Sequence, residues 1–452
     1  MADRGKKFKN GKIKIEELRL HHFKAFKNAR LTLEPGLTFV IGHNGSGKSS
    51  LLDAIDFVRS ALSEGLLLAV NQKGGIDALA YHEMRPLPFE RELPDTEAKS
   101  EVSEQPKQAG RNRSGVTYYL PHISVVLSLD DRKVLYGFSI TGGTAGTEFA
   151  VVKEELATED GRDSFVLDNK GFRPSSDTGI PSTTTPGLRT TLRLPIIQEE
   201  NPVWRAVYKA LTNVGAYSIF PGTLRELQPT MGYDRLRRNG ENASGVLWHL
   251  LQESRQDVQW IVERLGEITP NIRDLSVVFE EGRGIICFDQ DSVDFRNRFS
   301  ASHMSDGTLR ALGILLALRQ KNKPSMAFID EIGDSIDPRT LSVLLGAIEV
   351  STEFFPVVVT THSTDILDYS AVNGKNVRVV EWWDGVSWIY PLHDNVKALL
   401  GPSHKIGSML KRNTLRTGDV AYTISDADFF KPVLLLTRRV ITNNYLAHHS
   451  CR

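Results

Sequence analysis

The feature that most constrains this chain is the glycine-rich segment GHNGSGKS at residues 42–49. It follows the β-rich run LTFVI (37–41), and it precedes apolar residues at helical spacing: Leu51, Ile55, Val58 and Leu62. A G-x-x-x-x-G-K-[ST] loop between a strand and a helix surrounds phosphate groups with backbone N–H groups and with the helix N-terminus. The segment therefore predicts a strand, a phosphate-binding loop and a helix.

The side chains of this loop have distinct expected roles. Lys48 is predicted to contact the β- and γ-phosphates of a nucleotide, and the Ser49 hydroxyl is predicted to ligate Mg²⁺. The other predicted nucleotide-binding positions are Gly42, Asn44, Gly45, Ser46, Gly47 and Ser50. A chance match in a glycine-rich turn is the alternative, and the strand and helix on either side argue against it.

The composition limits the class of protein but does not identify a ligand or a partner. The chain has 452 residues, with 55 Lys and Arg against 55 Asp and Glu, so its net charge does not attract it to nucleic acid or membranes. Its two cysteines, Cys287 and Cys451, lie far apart, which fits a reducing compartment and no disulfide framework. We find no signal peptide and no apolar run of membrane-spanning length, and we expect a cytoplasmic protein without membrane contact.

Two hairpins and two helical regions are predicted between the phosphate loop and residue 300. ISVVLSL (123–129) and VLYGFSI (134–140) flank a polar turn, and LSVVFEEGRGIICF (275–288) turns near Glu281. Residues 202–215 have helical periodicity, and residues 243–266 predict either one long helix or a broken one.

After residue 307, helices and strands alternate. The predicted elements are a helix at 308–320, the strand MAFID (326–330), a helix at 338–349, the strand PVVVTT (356–361), a short helix at 364–369 and the strand VRVVEW (377–382). Such alternation predicts βαβ units and a parallel sheet. Ligands of such sheets bind at the carboxyl ends of the strands.

Polar residues follow two of these strands. Asp330 and Glu331 end MAFID, and a Mg²⁺ shared with Ser49 explains them: Asp330 binds the ion directly or through water, and Glu331 polarises the attacking water. A solvated pair of loop acids is the alternative. His362 closes the next strand, where a neutral imidazole can orient a γ-phosphate, although an isolated histidine there is more often simply exposed.

The segment HMSDGTLRALG (303–313) resembles a second anion-binding helix start. Ser305 and Gly307 precede an apolar helical run, and a helix N-terminus attracts negative charge. The chain therefore has two segments that could each bind an anion at a helix N-terminus, and the role of the second one has to be explained.

Taken together, the ordered motifs resemble the SMC/RecF/ABC class of P-loop ATPases, in the form of the AAA_21-type ATPases. The matching segments are GHNGSGKS with LLDAIDF, the signature SDGTLRALGILLAL, the Walker B and D-loop FIDEIGDSIDP, and the switch segment TTHSTDILD. The resemblance extends from about residue 12 to about residue 393. It implies an α/β P-loop NTPase fold of the ABC/SMC-head type. That fold has a mixed sheet with an antiparallel N-terminal β subdomain, a central parallel sheet and a helical middle subdomain.

The resemblance also implies how the site works. Lys48, Glu331 and His362 are its expected catalytic residues, with ATP and Mg²⁺ as ligands. Ser305 and Gly307 are expected to complete the site of a second copy, so that the chain dimerises around ATP. Relatives often have Glu-Glu-Pro-Glu where this chain has Asp330 and Glu331, but Asp-Glu is the commoner ABC form, so hydrolysis is still expected.

The same resemblance suggests what the ATPase cycle controls. Similar ATPases of Septu-type and OLD-type antiphage systems work with nucleases, so we expect a separately encoded effector such as a nuclease, with DNA as a possible ligand. Two alternatives stay open: an ATP-gated sensor with little hydrolysis, and the nucleotide-binding subunit of an ABC transporter. The long segment between phosphate loop and signature disfavours the transporter.

Five segments are predicted, in chain order. They are an N-terminal ATPase lobe (1–85), a flexible insertion (86–116), a β-rich and helical middle region (117–300), a C-terminal ATPase lobe (301–393) and a tail without a catalytic domain (394–452). The tail contains Asp426 and Asp428 in a D-x-D arrangement and ends in AHHSCR. We interpret both as surface features, because a nuclease or metal site needs further ligands.

Five further residues, two glutamines and three arginines, have alternative roles. Gln72 and Gln198 are candidates for the Q-loop glutamine of the class. Arg235, Arg237 and Arg238 cluster in GYDRLRRNG, where they could contact a phosphate backbone, although a solvated helix face is favoured.

Overall fold

A computed structural model describes most of the chain between residues 13 and 392. The described residues are 13–81, 109–111, 117–119, 121–130, 132–142, 149–183, 190–229, 235–291, 296–363, 366, 369, 371–383 and 385–392. The predicted tail 394–452, most of the predicted insertion 86–116 and most of the predicted helix 364–369 lie outside them. No helix in the described part is long and apolar enough to cross a membrane.

The strands of the described residues are numbered in chain order. They are β1 (Ile13–Phe23), β2 (Phe26–Thr32), β3 (Leu37–Ile41), β4 (Ala109–Arg111), β5 (Thr117–Tyr119), β6 (His122–Leu129), β7 (Arg132–Gly142), β8 (Phe149–Thr158), β9 (Phe165–Asp168), β10 (Gly171–Pro174), β11 (Val214–Tyr217), β12 (Gln228–Pro229), β13 (Ile272–Glu280), β14 (Arg283–Asp291), β15 (Arg296–Ser300), β16 (Met326–Ile329), β17 (Val357–Thr361), β18 (Val377–Trp383) and β19 (Val386–Pro391).

The α-helices are numbered in the same way. They are α1 (Lys48–Ser63), α2 (Leu66–Gln72), α3 (Ile76–Leu79), α4 (Leu194–Ile197), α5 (Pro202–Thr212), α6 (Pro221–Leu224), α7 (Ala243–Glu253), α8 (Arg255–Ile268), α9 (Asp306–Arg319) and α10 (Pro338–Ser351). Asp337 caps α10 by accepting hydrogen bonds from the backbone N–H groups of Arg339 and Thr340, and Pro338 occupies the first helical turn.

Two large sheets organise the molecule. The first is antiparallel, with strand order β10-β9-β8-β7-β6-β1-β2. The second has the order β11-β16-β17-β3-β18-β19, in which β19 alone runs antiparallel to its neighbour. A third sheet joins β12, β13 and β15 to β14, and it packs with α7 and α8 in the middle region. This arrangement confirms the predicted fold class.

The central sheet is buried on both faces, because its side chains alternate between two apolar cores. Val40 and Phe328 pack with α1, α5 and the antiparallel sheet. Phe39, Ile329 and Val359 pack on the other face, with residues of α7 to α10. The strands are therefore nearly all apolar, as expected for a covered parallel sheet, and their polar carboxyl ends are held between two packed layers.

The structure differs from the sequence predictions at several elements. The helix predicted at 202–215 ends at Thr212, and Val214–Tyr217 instead forms β11 at the edge of the central sheet. The region 243–266 is a broken helix, interrupted at Ser254. Strand β4, which lies within the predicted insertion, pairs with β5 directly after it. Both predicted hairpins form, as β6–β7 and β13–β14.

Candidate functional site

The phosphate loop connects β3 to α1 with two glycines in the left-handed region. Gly45 has φ of 78° and Gly47 has φ of 104°, which residues with a Cβ rarely adopt. A Cβ at Gly47 would also lie 2.8 Å from Ser387 Oγ and 3.2 Å from the Phe26 ring. The loop sequence therefore meets a backbone requirement at these positions. Asn44 and Ser49 are exposed, Ser50 is half-buried and Ser46 is buried.

Lys48 is buried at the start of α1, and its ammonium group lies inside the loop. Its Nζ donates hydrogen bonds to the carbonyl oxygens of Gly42 (2.9 Å) and His43 (3.0 Å). The same Nζ lies 3.3 Å from Glu331 Oε1. The loop and the acidic end of β16, far apart in sequence, thus meet at one site.

Asp330 is held at the end of β16 by its neighbour strand. Its side chain is buried, and Oδ1 accepts a hydrogen bond of 2.5 Å from the Thr360 hydroxyl on β17. The backbone N–H of Glu331 donates to the same Thr360 oxygen, at 2.8 Å. Thr360 therefore fixes both acidic residues, although no sequence pattern had pointed to it.

Glu331 lies between two basic groups. Besides the Lys48 contact, its Oε2 lies 2.7 Å from His362 Nδ1. The backbone of Glu331 has φ of 48°, an uncommon conformation for a non-glycine residue, which turns the chain sharply after the strand. The three predicted catalytic residues, Lys48, Glu331 and His362, are thus in mutual contact through the Glu331 carboxylate.

Arg310 is a second functional candidate that was not predicted from the sequence. It lies on α9, is buried, and donates to the Glu331 carbonyl oxygen (2.9 Å) and to Asp334 Oδ2 (3.0 Å). A buried arginine requires such partners. It fixes the signature helix to the turn that carries Glu331. The sequence did contain a signal for this role, since Arg310 is a charged residue inside the apolar run of that helix.

The start of α9 is a capped helix end. Ser305 Oγ accepts a hydrogen bond from the Thr308 N–H (3.2 Å), and a Cβ at Gly307 would lie 3.2 Å from the Ser335 carbonyl oxygen. Within the described residues, no hydrogen bond or ion pair joins Ser305 or Gly307 to Lys48 or Glu331. Their predicted role in the nucleotide site of a second copy stays a prediction.

The side chains at this edge fit a hydrated divalent cation. Ser49 offers an exposed hydroxyl at the start of α1. Asp330 offers a carboxylate whose Oδ2 makes no hydrogen bond within the described part of the chain. Oxygen ligands of this kind, few in number, suit Mg²⁺, which keeps several waters and takes phosphate oxygens as further ligands.

The basic cluster near residue 235 is not a helix face, and two of its three arginines are bound to other elements. Arg235 donates to the Thr212 carbonyl oxygen at 2.6 Å, Arg237 to Glu241, and Arg238 to Asp53 at 2.6 Å. Residues 235–240 form turns and bends and no helix. The favoured interpretation as a solvated helix face was therefore wrong, because the described residues 235–240 are not helical and Arg235 and Arg238 hold the middle region to α5 and α1.

Asp53 is the centre of a partly buried ionic cluster on α1. Burial alone raises the pKa of this carboxyl, but hydrogen bonds from Lys24 and Arg238 and the charge of Lys73 lower it to about 2. The cluster joins the helix that follows the phosphate loop to the turn between β1 and β2 and to the middle region. With Lys73, which directly follows α2, the cluster ties three parts of the fold to α1.

The two candidates for the Q-loop glutamine make no hydrogen bond with the residues around Lys48 and Glu331 in the described part of the chain. Gln72, at the end of α2, donates to Glu64 Oε2 at 3.0 Å. Gln198 begins a short 3₁₀ turn after α4. Within the described residues, neither makes a hydrogen bond to the residues around Lys48 and Glu331.

Comparison with known proteins gives a family match over most of the chain. Residues 37–368 match the family described as "AAA domain, putative AbiEii toxin, Type IV TA system". The chromosome partition protein Smc of Methanococcus voltae is 33% identical over 119 residues, which are 24% of this chain and 10% of that protein. The DNA replication and repair protein RecF of a Nocardioides species is 29% identical over 130 residues, covering 27% of this chain and 30% of that protein.

One solved structure that aligns is an Smc head bound to the C-winged helix domain of ScpA. It is 14% identical with a TM-score of 0.48, and the alignment covers 83% of this chain and 96% of that chain. The match to the two curated relatives is much narrower, since this chain spans about a tenth of the Smc protein and about a third of RecF.

Proposed function

This chain belongs to the AAA_21 family, within the ABC/SMC type of P-loop ATPases, and we propose that it hydrolyses MgATP to control a partner. The observation that supports hydrolysis most directly is the 3.3 Å contact between Lys48 Nζ and Glu331 Oε1. It places a phosphate-binding cation and a potential general base beside one another, so that both groups can reach a terminal phosphate and its attacking water once the phosphate has separated them.

Binding uses the loop and its lysine. The N–H groups of the loop and the N-terminus of α1 receive the phosphates, and Lys48 exchanges its contacts with the Gly42 and His43 carbonyl oxygens for phosphate oxygens. Ser49 and Asp330 would hold Mg²⁺, which neutralises charge on the phosphate oxygens when it is bound.

Hydrolysis uses the acidic strand end. Once Lys48 is engaged by phosphate, one oxygen of Glu331 is available to accept a proton from the attacking water. His362 holds the other oxygen of the carboxylate in place, and Thr360 fixes the backbone of Glu331. This division of roles is our proposal for these residues.

We further propose that the site is completed by a second copy. Ser305 and Gly307 lie at a helix start that makes no polar contact with Lys48 or Glu331 within the described part of the chain, so they are suited to a γ-phosphate held by another molecule. In this proposal the dimer gates a separately encoded effector, such as a nuclease acting on DNA in the cytoplasm. A role in antiphage defence is part of the same proposal.

The alternative of an ATP-gated sensor has one observation in its favour. Both Glu331 oxygens are engaged, Oε1 near Lys48 and Oε2 by His362, which favours slow turnover until a ligand or partner rearranges them. The two proposals assume the same nucleotide site and differ only in the rate of ATP hydrolysis.

The test is phosphate release by purified protein, with and without DNA. We expect Glu331→Gln to bind ATP and to lose hydrolysis, and Lys48→Ala to lose nucleotide binding. A wild-type protein as inactive as Glu331→Gln under all conditions would contradict the enzyme proposal and leave the sensor. Retained ATP binding in Lys48→Ala would contradict the assignment of the loop.

A further inference from the structure

Two adjacent tryptophans are exposed at the ligand-binding edge of the central sheet. Trp382 is 57% exposed and Trp383 is 71% exposed. They end β18, which runs parallel to β3 and pairs with it as far as Val379. The end of β18 therefore extends past β3 on the side where the phosphate loop begins. Exposed aromatic groups beside a ligand site usually mark a binding surface, because their apolar area is stabilised by being covered.

The β18–β19 hairpin packs directly against both ends of the phosphate loop. The carbonyl oxygen of Val380 lies 2.2 Å from the position that a Cβ of Gly42 would take, and Ser387 Oγ lies 2.8 Å from that of Gly47. The backbone N–H of Ser387 donates to the Ala25 carbonyl oxygen at 2.8 Å, which holds the hairpin to the turn between β1 and β2. The hairpin is thus a wall of the nucleotide site.

The two tryptophans project from opposite faces of this hairpin. Trp382 and Ser387 are partners in the antiparallel register, so their side chains share a face, with Cβ atoms about 5 Å apart. Since Ser387 faces Gly47, the side chain of Trp382 lies on the face of the hairpin that is turned toward the phosphate loop. Trp383 alternates to the other face.

We infer that Trp382 is the surface on which the base of the bound nucleotide stacks. The inference rests on the proposed function, which places the phosphates at residues 42–49. The rest of the nucleotide must leave the loop, and Trp382 offers an exposed indole on the face of the hairpin that is turned toward the loop. Stacking on an aromatic ring is nearly insensitive to the identity of the base. The assigned ligand class is therefore a nucleoside triphosphate, with the base contributing affinity but little selectivity.

The experiment compares two ligands that differ in the nucleoside. MgATP and magnesium tripolyphosphate are titrated into the full chain by calorimetry. We expect Trp382→Ala to weaken ATP binding about tenfold or more, to leave tripolyphosphate binding unchanged, and to lose the ATP-induced change in tryptophan fluorescence. Trp382→Tyr should restore most of the affinity. Trp383→Ala, the matched control on the opposite face, should bind both ligands as the wild type does.

Several outcomes overturn the inference. Equal weakening of both ligands in Trp382→Ala would show that the indole only supports the loop. If Trp382→Ala bound both ATP and tripolyphosphate as the wild type does, the base would bind elsewhere. If that variant also lost ATP-dependent dimerisation, Trp382 would be a contact between subunits. A wild type that binds both ligands equally contradicts stacking alone, whereas a wild type that binds neither contradicts the proposed function.

Discussion

The side-chain hydroxyl of Thr360 contacts both acidic residues of the site, Asp330 and Glu331. It donates to Asp330 Oδ1 and accepts from the Glu331 N–H. A residue that orients ligands and bases in this way acts without touching the substrate, and losing such a group commonly costs 10- to 100-fold in activity, as an order of magnitude.

We expect Thr360→Val to lower kcat by about 10- to 100-fold while ATP affinity changes little. The shape is conserved, but the Glu331 N–H loses its acceptor, which destabilises the fold by about 1–3 kcal/mol. Steady-state kinetics and denaturant unfolding measure the two effects. Thr361→Val is the control, because Thr361 accepts from the Ser363 N–H and does not hold the acids. Equal effects of the two substitutions would contradict the assigned role.

Glu154 makes stability depend on pH. It is fully buried on β8 and accepts hydrogen bonds from Tyr136 and Leu194, yet burial raises its pKa from 4.5 to about 7. The folded state therefore binds more protons than the unfolded state between these values, and stability falls as pH rises from about 4.5 to 7.

We expect Glu154→Gln to remove this dependence. Relative to the variant, the wild type should lose roughly 3 kcal/mol of unfolding free energy between pH 4.5 and 8. Denaturant unfolding of both proteins at several pH values measures the difference. Parallel pH profiles for the two proteins would show that Glu154 does not titrate as stated.

At the scale of elements, the β18–β19 hairpin can pack against the phosphate loop because residue 42 is a glycine. Gly42 approaches the carbonyl oxygen of Val380 so closely that a Cβ would lie 2.2 Å from it. This is a backbone contact, so no side-chain rotation relieves it. The strands β3 and β18 can adopt this spacing only with glycine at that position.

We therefore expect Gly42→Ala to separate β18 from the loop, lowering stability by about 1–3 kcal/mol and weakening ATP binding. Gly346→Ala is the control: a Cβ there meets nothing within 4 Å, and alanine favours the helix α10 by about 1 kcal/mol. Thermal unfolding and nucleotide titration of both variants are the measurements. Wild-type behaviour of Gly42→Ala would contradict the close approach of the Val380 carbonyl oxygen.

Elements with local signals were predictable from the sequence. β3, the loop and α1 combine β-rich residues, glycines and helical spacing within one short segment, so their order was clear before the structure. β11 was missed because four residues directly after a helix carry no separate pattern. The contact of Arg238 with Asp53 joins residues far apart in sequence, and Thr360 looks like any strand residue; such pairings are set by tertiary packing, which single-sequence patterns do not report.

At the scale of the whole molecule, the proposal that Ser305 completes the site of a second copy predicts that activity is shared between copies. We expect Lys48→Ala and Ser305→Arg each to abolish hydrolysis alone. Mixing the two variants should restore part of the activity, because a mixed dimer contains one site with an intact loop and an intact signature. Phosphate release from the mixture is the measurement. An active Ser305→Arg protein, or a mixture without activity, would contradict a shared site.

The carbonyl contacts of Lys48 have a consequence for the exchange of nucleotide. Gly42 and His43 act as an internal ligand of the ammonium group, at 2.9 and 3.0 Å, and they compete with any phosphate for it. The free energy of that internal binding is subtracted from the affinity for ATP and, equally, from the affinity for ADP. When a ligand leaves, the same two carbonyl oxygens are placed to accept hydrogen bonds from Lys48 again. These contacts therefore weaken the retention of any bound nucleotide, whether or not it has been hydrolysed.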